Sequence, residues 1–315
     1  MTSKWTNYTK LNGKNGKPSD NKDHFPQGTF DYVNREKYAF GEYGYGKNSV
    51  KLLHVERCGP KHTIREYEVD VHLKLSTQLD YLEARKHGIK TPEEFGLLLC
   101  SHFLYTYRHV AEVEVKIDEY PWERLRREDA EHNHAFVYSP CAIRFAIVSQ
   151  KRHGASTIEA GLRELRVLKT TQSSFKDFIQ DGYRTLPDCN DRIFSTIVCA
   201  TWQYSTASGV DFDAAWNAVK DCIIDKFAGH PETGIFSPSV QNTLYLVEKM
   251  VLDKVPQISR IDMQMPNKHY FEVDMSKFAP RVLESCDNQE VYLPVDKPSG
   301  IIYAELIRKD ITSKL

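Results

Sequence analysis

Residues His62–Leu75 read HTIREYEVDVHLKL, and the period of that run decides the fold. Tyr67, Val69, Val71, Leu73 and Leu75 project to one side, while Glu66, Glu68, Asp70, His72 and Lys74 project to the other. Successive side chains of an extended chain point to opposite faces, so this is a strand with one face buried and one wet, the habit of an antiparallel sheet. On its N-terminal side, Ser49–Cys58 (SVKLLHVERC) forms the hairpin partner, with Gly59 and Pro60 making the turn. On its C-terminal side, Thr91-Pro92-Glu93-Glu94 starts a helix with Thr as N-cap, Pro at the first helical position and Glu completing a capping box. Phe95, Leu98, Leu99 and Phe103 follow at helical spacing. Period two then returns in Val113, Val115 and Ile117, and the apolar stretch Ala135–Val148 completes the first set of strands.

The same order recurs further on. Leu162–Thr170 and Ile193–Tyr204 read as strands and Phe212–Phe227 as an amphipathic helix. Ser237-Pro238 opens a second helix through Leu244, Val247 and Val251, and Ile258–Met265, Tyr270–Val273 and Ile301–Leu306 return to strand. A strand–helix–strand unit occurring twice predicts an α+β chain whose helices cover one face of antiparallel sheets. Residues 1–36, rich in Asn, Lys, Gly and Ser without apolar period, read as a mobile polar tail, 37–150 as the first unit and 151–315 as the second.

Composition narrows the function classes. The 315 residues are 41% hydrophobic and 27% charged with a formal net charge of -1, so no basic field favours nucleic acid. No apolar run approaches the span of a bilayer, and the first residues lack the apolar segment of a secretory signal, which predicts an intracellular protein. Seven scattered cysteines without a C-x-x-C pair predict reduced, mostly buried thiols and no structural zinc site. His132 and His134 in HNHAF read as solvated or hydrogen-bonded residues of a loop between strands rather than metal ligands.

Chemistry enters through motifs that no period predicts. Tyr45-Gly46-Lys47, Tyr120-Pro121-Trp122, Gly161-Leu162-Arg163, Val167-Leu168-Lys169-Thr170-Thr171-Gln172-Ser173-Ser174-Phe175, Asp191-Arg192-Ile193-Phe194-Ser195-Thr196, Ser239-Val240-Gln241 and Pro266-Asn267-Lys268-His269-Tyr270-Phe271 occur in that order. From about Tyr43 to the end, the chain resembles the urate oxidase (uricase) family. The resemblance implies tandem tunnelling-fold (T-fold) units assembled as a homotetrameric barrel with sites at subunit interfaces. It also implies oxidation of urate by dioxygen to 5-hydroxyisourate and hydrogen peroxide, with no metal or organic cofactor and with O2 as co-substrate. By the same resemblance Phe175 stacks on the purine, Arg192 pairs with its anionic edge, and the Val240 backbone N–H and the Gln241 amide bind the opposite edge. Asn267 sits over the ring at the oxygen or water site, and Lys47 and His269 handle protons. The terminal Ser313-Lys314-Leu315 has the form of a peroxisomal address read by an import receptor.

One part of the family pattern is missing. A loop after the second strand of the family leads to a Thr-Asp pair at a helix start, whose Thr links the catalytic Lys to the substrate from a neighbouring subunit. Here Leu73-Lys74-Leu75 runs through Ser76-Thr77-Gln78 directly into LDYLEARKHGI, with no Thr-Asp pair. Ser76 and Thr77 are the hydroxyls nearest the gap and read as the N-cap of a shortened helix. Asn48, where family members commonly carry Asp, is a second departure. Loss of a positioned proton-transfer partner typically costs about 10²- to 10⁴-fold in rate, so turnover is expected to be severely reduced or lost. The other reading is a non-catalytic uricase-fold oligomer that binds a purine or serves a structural or interaction role.

Overall fold

The computed structural model describes residues 44–75, 90–177, 179, 181–183, 187–277 and 290–309. The polar tail, Ser76, Thr77, the junction at which the Thr-Asp segment is missing, and Ser313-Lys314-Leu315 all lie outside the described residues. The decisive run is β2 (Lys61–Leu75), antiparallel to β1 (Gly44–Cys58) in the register the alternation demands, with Val69 opposite Val50 and Tyr67 opposite Leu52. Tyr67 is fully buried and Val69 nearly so. Helix α1 (Pro92–Thr106) begins where the sequence places it, with the Glu94 amide donating to the Thr91 hydroxyl at 3.1 Å.

The strands β3 (Val110–Glu119), β6 (Ile143–Lys151), β7 (Ser156–Lys169) and β8 (Phe194–Tyr204) extend the sheet in the order β1-β2-β3-β6-β7-β8, antiparallel throughout. Beyond β8, the strands β9 (Ile258–Gln264) and β10 (Asn267–Glu272) pair with it in one continuous register, since Cys199 faces Gln264 and Ser195 faces Lys268. β11 (Tyr292–Gly300) and β12 (Tyr303–Ile307) pair with β10 and β9 respectively. The boundary drawn from the sequence at 150/151 falls at the end of β6, and the sheet continues past it into β7.

Helix α1 packs on β3 and β6, α2 (Phe212–Ala228) on β7 and α3, and α3 (Val240–Lys254) on β9 and β12. Val113, Val115, Val148, Leu162, Val198, Trp202, Ile261 and Met263 form the core between sheet and helices. The approach is close. A Cβ on Gly96 of α1 would lie 2.6 Å from Val148 Cγ2, so only glycine lets that helix settle on β6. Beneath the starts of α1 and α2, Arg144 donates to Glu93 at 2.8 Å and to Asp213 at 2.5 Å, while Arg65 reaches Glu119 at 2.8 Å and Asp213 at 3.1 Å. Burial pushes the Glu93 carboxyl up to about 7, against the pull of Arg144.

Four expectations are corrected. Ala135–Val148 is not one strand: β5 (Ala130–Tyr138) hairpins with β4 (Trp122–Arg127), and β6 begins only at Ile143. His132 and His134 therefore lie within β5, not in a loop, with the His132 Nδ1 accepting from the His134 and Ala135 amides. The cap of α3 is Ser239, two residues after the Ser237 expected to open that helix. Among the described cysteines only Cys100 and Cys222 are buried, whereas Cys58 and Cys141 are exposed. Among the described residues no helix is long and apolar enough to cross a membrane.

Candidate active site

The candidate site begins where β7 ends. From Thr171 to Phe175 the chain forms a strap, pinned by the Asp191 carboxylate, which accepts from the Thr171 hydroxyl and from the Ser173 amide at 3.3 Å. Burial would raise the Asp191 pKa, but the Thr171 hydroxyl and the Ser173, Gln172 and Arg192 amides outweigh it and hold the carboxyl below its usual range. Phe175 exchanges two backbone hydrogen bonds with Cys189, both at 2.8 Å, and the Arg192 amide donates to the Ser173 carbonyl at 2.8 Å. The Phe175 ring and the Arg192 guanidinium thus hang from one small backbone framework.

Arg192 is held by four neighbours. Its Nη1 donates to Asn267 Oδ1 at 2.9 Å and its Nε to the Ser174 carbonyl at 3.3 Å. Its guanidinium carbon lies 5.2 Å from the centroid of Phe175 and 5.7 Å from that of Phe194. A guanidinium has only donors, so the oxygen of the Asn267 amide must face it. Asn267 is itself only 4% exposed, and it sits just beyond Pro266, which has no N–H to give the ladder. The His269 ring meets Phe175 edge to face at 6.2 Å and stacks on Phe271 at 5.8 Å. Burial, then the Arg192 charge, lowers the His269 pKa below its ordinary value, so the imidazole is poised neutral and able to accept a proton.

Val240 and Gln241 approach through the strap. The Ser237 amide donates to the Gln172 carbonyl at 2.9 Å, the Ser174 amide to the Ser237 carbonyl at 3.1 Å, and the Ser174 hydroxyl to the Pro238 carbonyl at 2.9 Å. α3 starts two residues later, with Val240 buried and Gln241 exposed at the first two helical positions. The structure therefore brings together Phe175, Arg192, Asn267 and His269 by direct contact and ties the start of α3 to them. Lys47 is not among them. It stands exposed on β1, opposite Val71, beside a bulge in which the Ser49 amide donates to Asp70 at 2.6 Å. β1 and β8 are five strand spacings apart, about 24 Å along the sheet.

Sequence reasoning gave no role to Asp191, Phe194 or Lys169, although all three stand inside the quoted motifs. The fold shows Phe194 buried, Lys169 half-buried and the exposed Asp191 pinning the strap, none of which the spacing of these residues signals. Among the described residues no group of His, Cys, Asp and Glu is arranged to hold a metal ion.

A half-buried guanidinium stands beside a phenyl ring, an amide and a depressed imidazole on an antiparallel sheet with helices on one face, and that architecture is the T-fold. Comparisons with known proteins give the family. The Uricase family model matches residues 81–149 and 158–303. Uricase of Drosophila pseudoobscura pseudoobscura is 45% identical, covering 89% of this chain and 92% of its own, and that of Danio rerio is 43% identical over 88% and 97%. The crystal structure of uricase from Arthrobacter globiformis superposes with a TM-score of 0.74 at 30% identity, covering 87% of this chain and 96% of that one. The chain belongs to the uricase family, a family of oxidoreductases.

Proposed function

We propose that this chain binds urate in the pocket of Phe175, Arg192, Asn267 and His269 and oxidises it at a rate far below that of an intact proton relay. The observation that carries the reading is the Arg192 guanidinium, desolvated between Phe175 and Asn267. A planar fork of donors beside an aromatic face suits one edge of a planar oxyanion, which Lys would not reproduce. The Val240 N–H and the Gln241 amide take the opposite edge at the start of α3, where amides lack intrahelical partners. Asn267 holds the dioxygen or water above the ring, and His269 accepts a proton as the ring is oxidised. Urate, dioxygen and water give 5-hydroxyisourate and hydrogen peroxide, the purine losing two electrons and O2 gaining them, without metal or organic cofactor.

Lys47 is too far along the sheet to reach this pocket within one chain, which supports a homotetramer in which a second copy supplies it. The Thr-Asp segment that would join that Lys to the substrate is missing from the sequence, and its loss raises the barrier by roughly 3 to 5 kcal/mol. The division into two tandem units, the peroxisomal address Ser313-Lys314-Leu315 and the import receptor that would read it complete the reading, since a reaction releasing hydrogen peroxide suits a compartment that destroys it.

The test is urate absorbance with purified protein and dioxygen, beside a urate titration under argon. Binding with turnover reduced by about 10²-fold or more relative to an intact uricase supports the reading. Ordinary turnover overturns the impaired relay, and no binding leaves only the scaffold, which is the non-catalytic alternative.

A further inference from the structure

Lys169 closes β7 with its ammonium turned inward. Nζ donates to the Ile235 carbonyl at 2.8 Å and to the Ser237 hydroxyl at 2.8 Å, and it lies 5.8 Å from the Phe194 centroid and 5.6 Å from that of Phe227. Both rings are in the core. Desolvation by this setting lowers the Lys169 pKa to about 8, with Asp191 the opposing charge. A methionine could fill the same space without desolvating a charge, so the value of the ammonium lies in what it fixes.

What it fixes is the approach to α3. Ser237 is 2% exposed, and its hydroxyl also accepts from the Thr243 hydroxyl at 2.9 Å, which ties the loop to the first turn of the helix. The Ser237 backbone meets the strap on both sides, through Gln172 and Ser174. Two edges of the pocket therefore converge on one serine. Phe175 and Arg192 extend from the strap, while Val240 and Gln241 follow from the loop, and Lys169 clamps the loop from below. Neither Ile235 nor Ser237 contacts the anion in the reading given above, so any effect of Lys169 on that anion must travel through this clamp.

We propose that Lys169 is a positioning residue of the pocket: its ammonium holds Ile235–Ser239 against Thr171–Phe175 and so sets the distance between the Val240–Gln241 edge and the Phe175–Arg192 edge. This rests on the urate-binding reading and adds to it the device that sets the width of the site. The clamp is neutral toward the sequence of the substrate-binding residues, and it predicts an effect on affinity from a side chain that touches no ligand.

The experiment is a urate titration under argon on the full chain, with melting temperature recorded for each variant. K169M is expected to weaken urate binding by about 10- to 100-fold, the effect of losing a charge-assisted hydrogen bond from a rigid site. S237A is expected to weaken it by about 3- to 10-fold, and K169M/S237A by no more than K169M alone, because both act through one contact. R152M is the control for stability. Arg152 donates to the Leu104, Tyr107 and Val110 carbonyls between α1 and β3, at the opposite end of β7 from the strap, so its loss lowers the melting temperature and leaves affinity unchanged. Wild-type affinity in folded K169M, or additive effects in the double variant, overturns the clamp while leaving the pocket intact. Should K169M not fold, wild-type affinity in S237A overturns it equally. A wild-type chain that binds no urate overturns the pocket itself, a result separate from either.

Discussion

Around β8 and β10 the candidate site is assembled by the chain itself, whereas on β1 Lys47, the proposed proton-handling residue, stands exposed. Arg192 is held by Asn267, Ser174 and two aromatic rings, and His269 by Phe175 and Phe271, so the binding groups are fixed before any ligand arrives. Lys47 lies opposite Val71 beside the bulge at Ser49. The difference teaches that grip and proton transfer are separable in this fold. In the proposed reading one is preorganised within a chain, and the other depends on a second copy and on a loop that this sequence lacks.

The largest expected effect repairs only the weak region. Inserting the family's loop with its Thr-Asp pair after Leu75 should raise turnover by about 10²- to 10⁴-fold while leaving urate affinity within about 2-fold. Steady-state rates beside the anaerobic titration check both halves. A rise in affinity instead of rate would mean that the loop shapes the pocket, and the two regions would no longer be separable.

The next effect strikes the strong region. Arg192→Gln removes the charge from a desolvated position and should weaken urate binding by about 30-fold or more, whereas Lys47→Met should change it by less than about 3-fold. Calorimetric titration of both variants reads the contrast directly. Equal losses would place Lys47 in the grip and contradict the division between the regions.

The strong region was the harder one to read from sequence. The alternation of Tyr67, Val69 and Val71 places β2 because one face is buried, and the Thr91 cap places α1 because its chemistry is local. β4 and β5 escaped notice because Arg124, Arg126, His132 and His134 leave no apolar face to alternate, and β11 because Pro294 and Pro298 interrupt its period. Phe175, Arg192, Asn267 and His269 span almost a hundred residues, and what joins them is a strap and a strand register rather than any spacing. They were found by their likeness to a family, and Lys169 was not, since no motif says that an ammonium turns into the core.

A smaller effect separates stacking from charge. Phe175→Leu keeps apolar area beside the guanidinium but removes the aromatic face, and should weaken urate binding by about 2- to 10-fold. Its backbone bonds to Cys189 survive the change, so the strap and the melting temperature should be little altered. A loss as large as that of Arg192→Gln would show that the ring aligns the guanidinium as well as stacking on the purine.

The subtlest change lies in His269. Its native pKa is depressed by burial and then by Arg192, so the unfolded chain takes up this proton at a higher pH than the folded one. The sign follows. The depressed imidazole contributes stability above its unfolded value near 6.5, and that stability is lost as pH falls toward the native pKa. Arg192→Gln removes one of the two causes, so the His269 pKa should move up toward its ordinary value while burial keeps it from arriving there. Imidazole resonances followed through an acid titration of both proteins measure the displacement. No displacement would mean that the Arg192 charge is screened from the ring, and the pocket would then be a set of contacts without the shared field that keeps its base neutral.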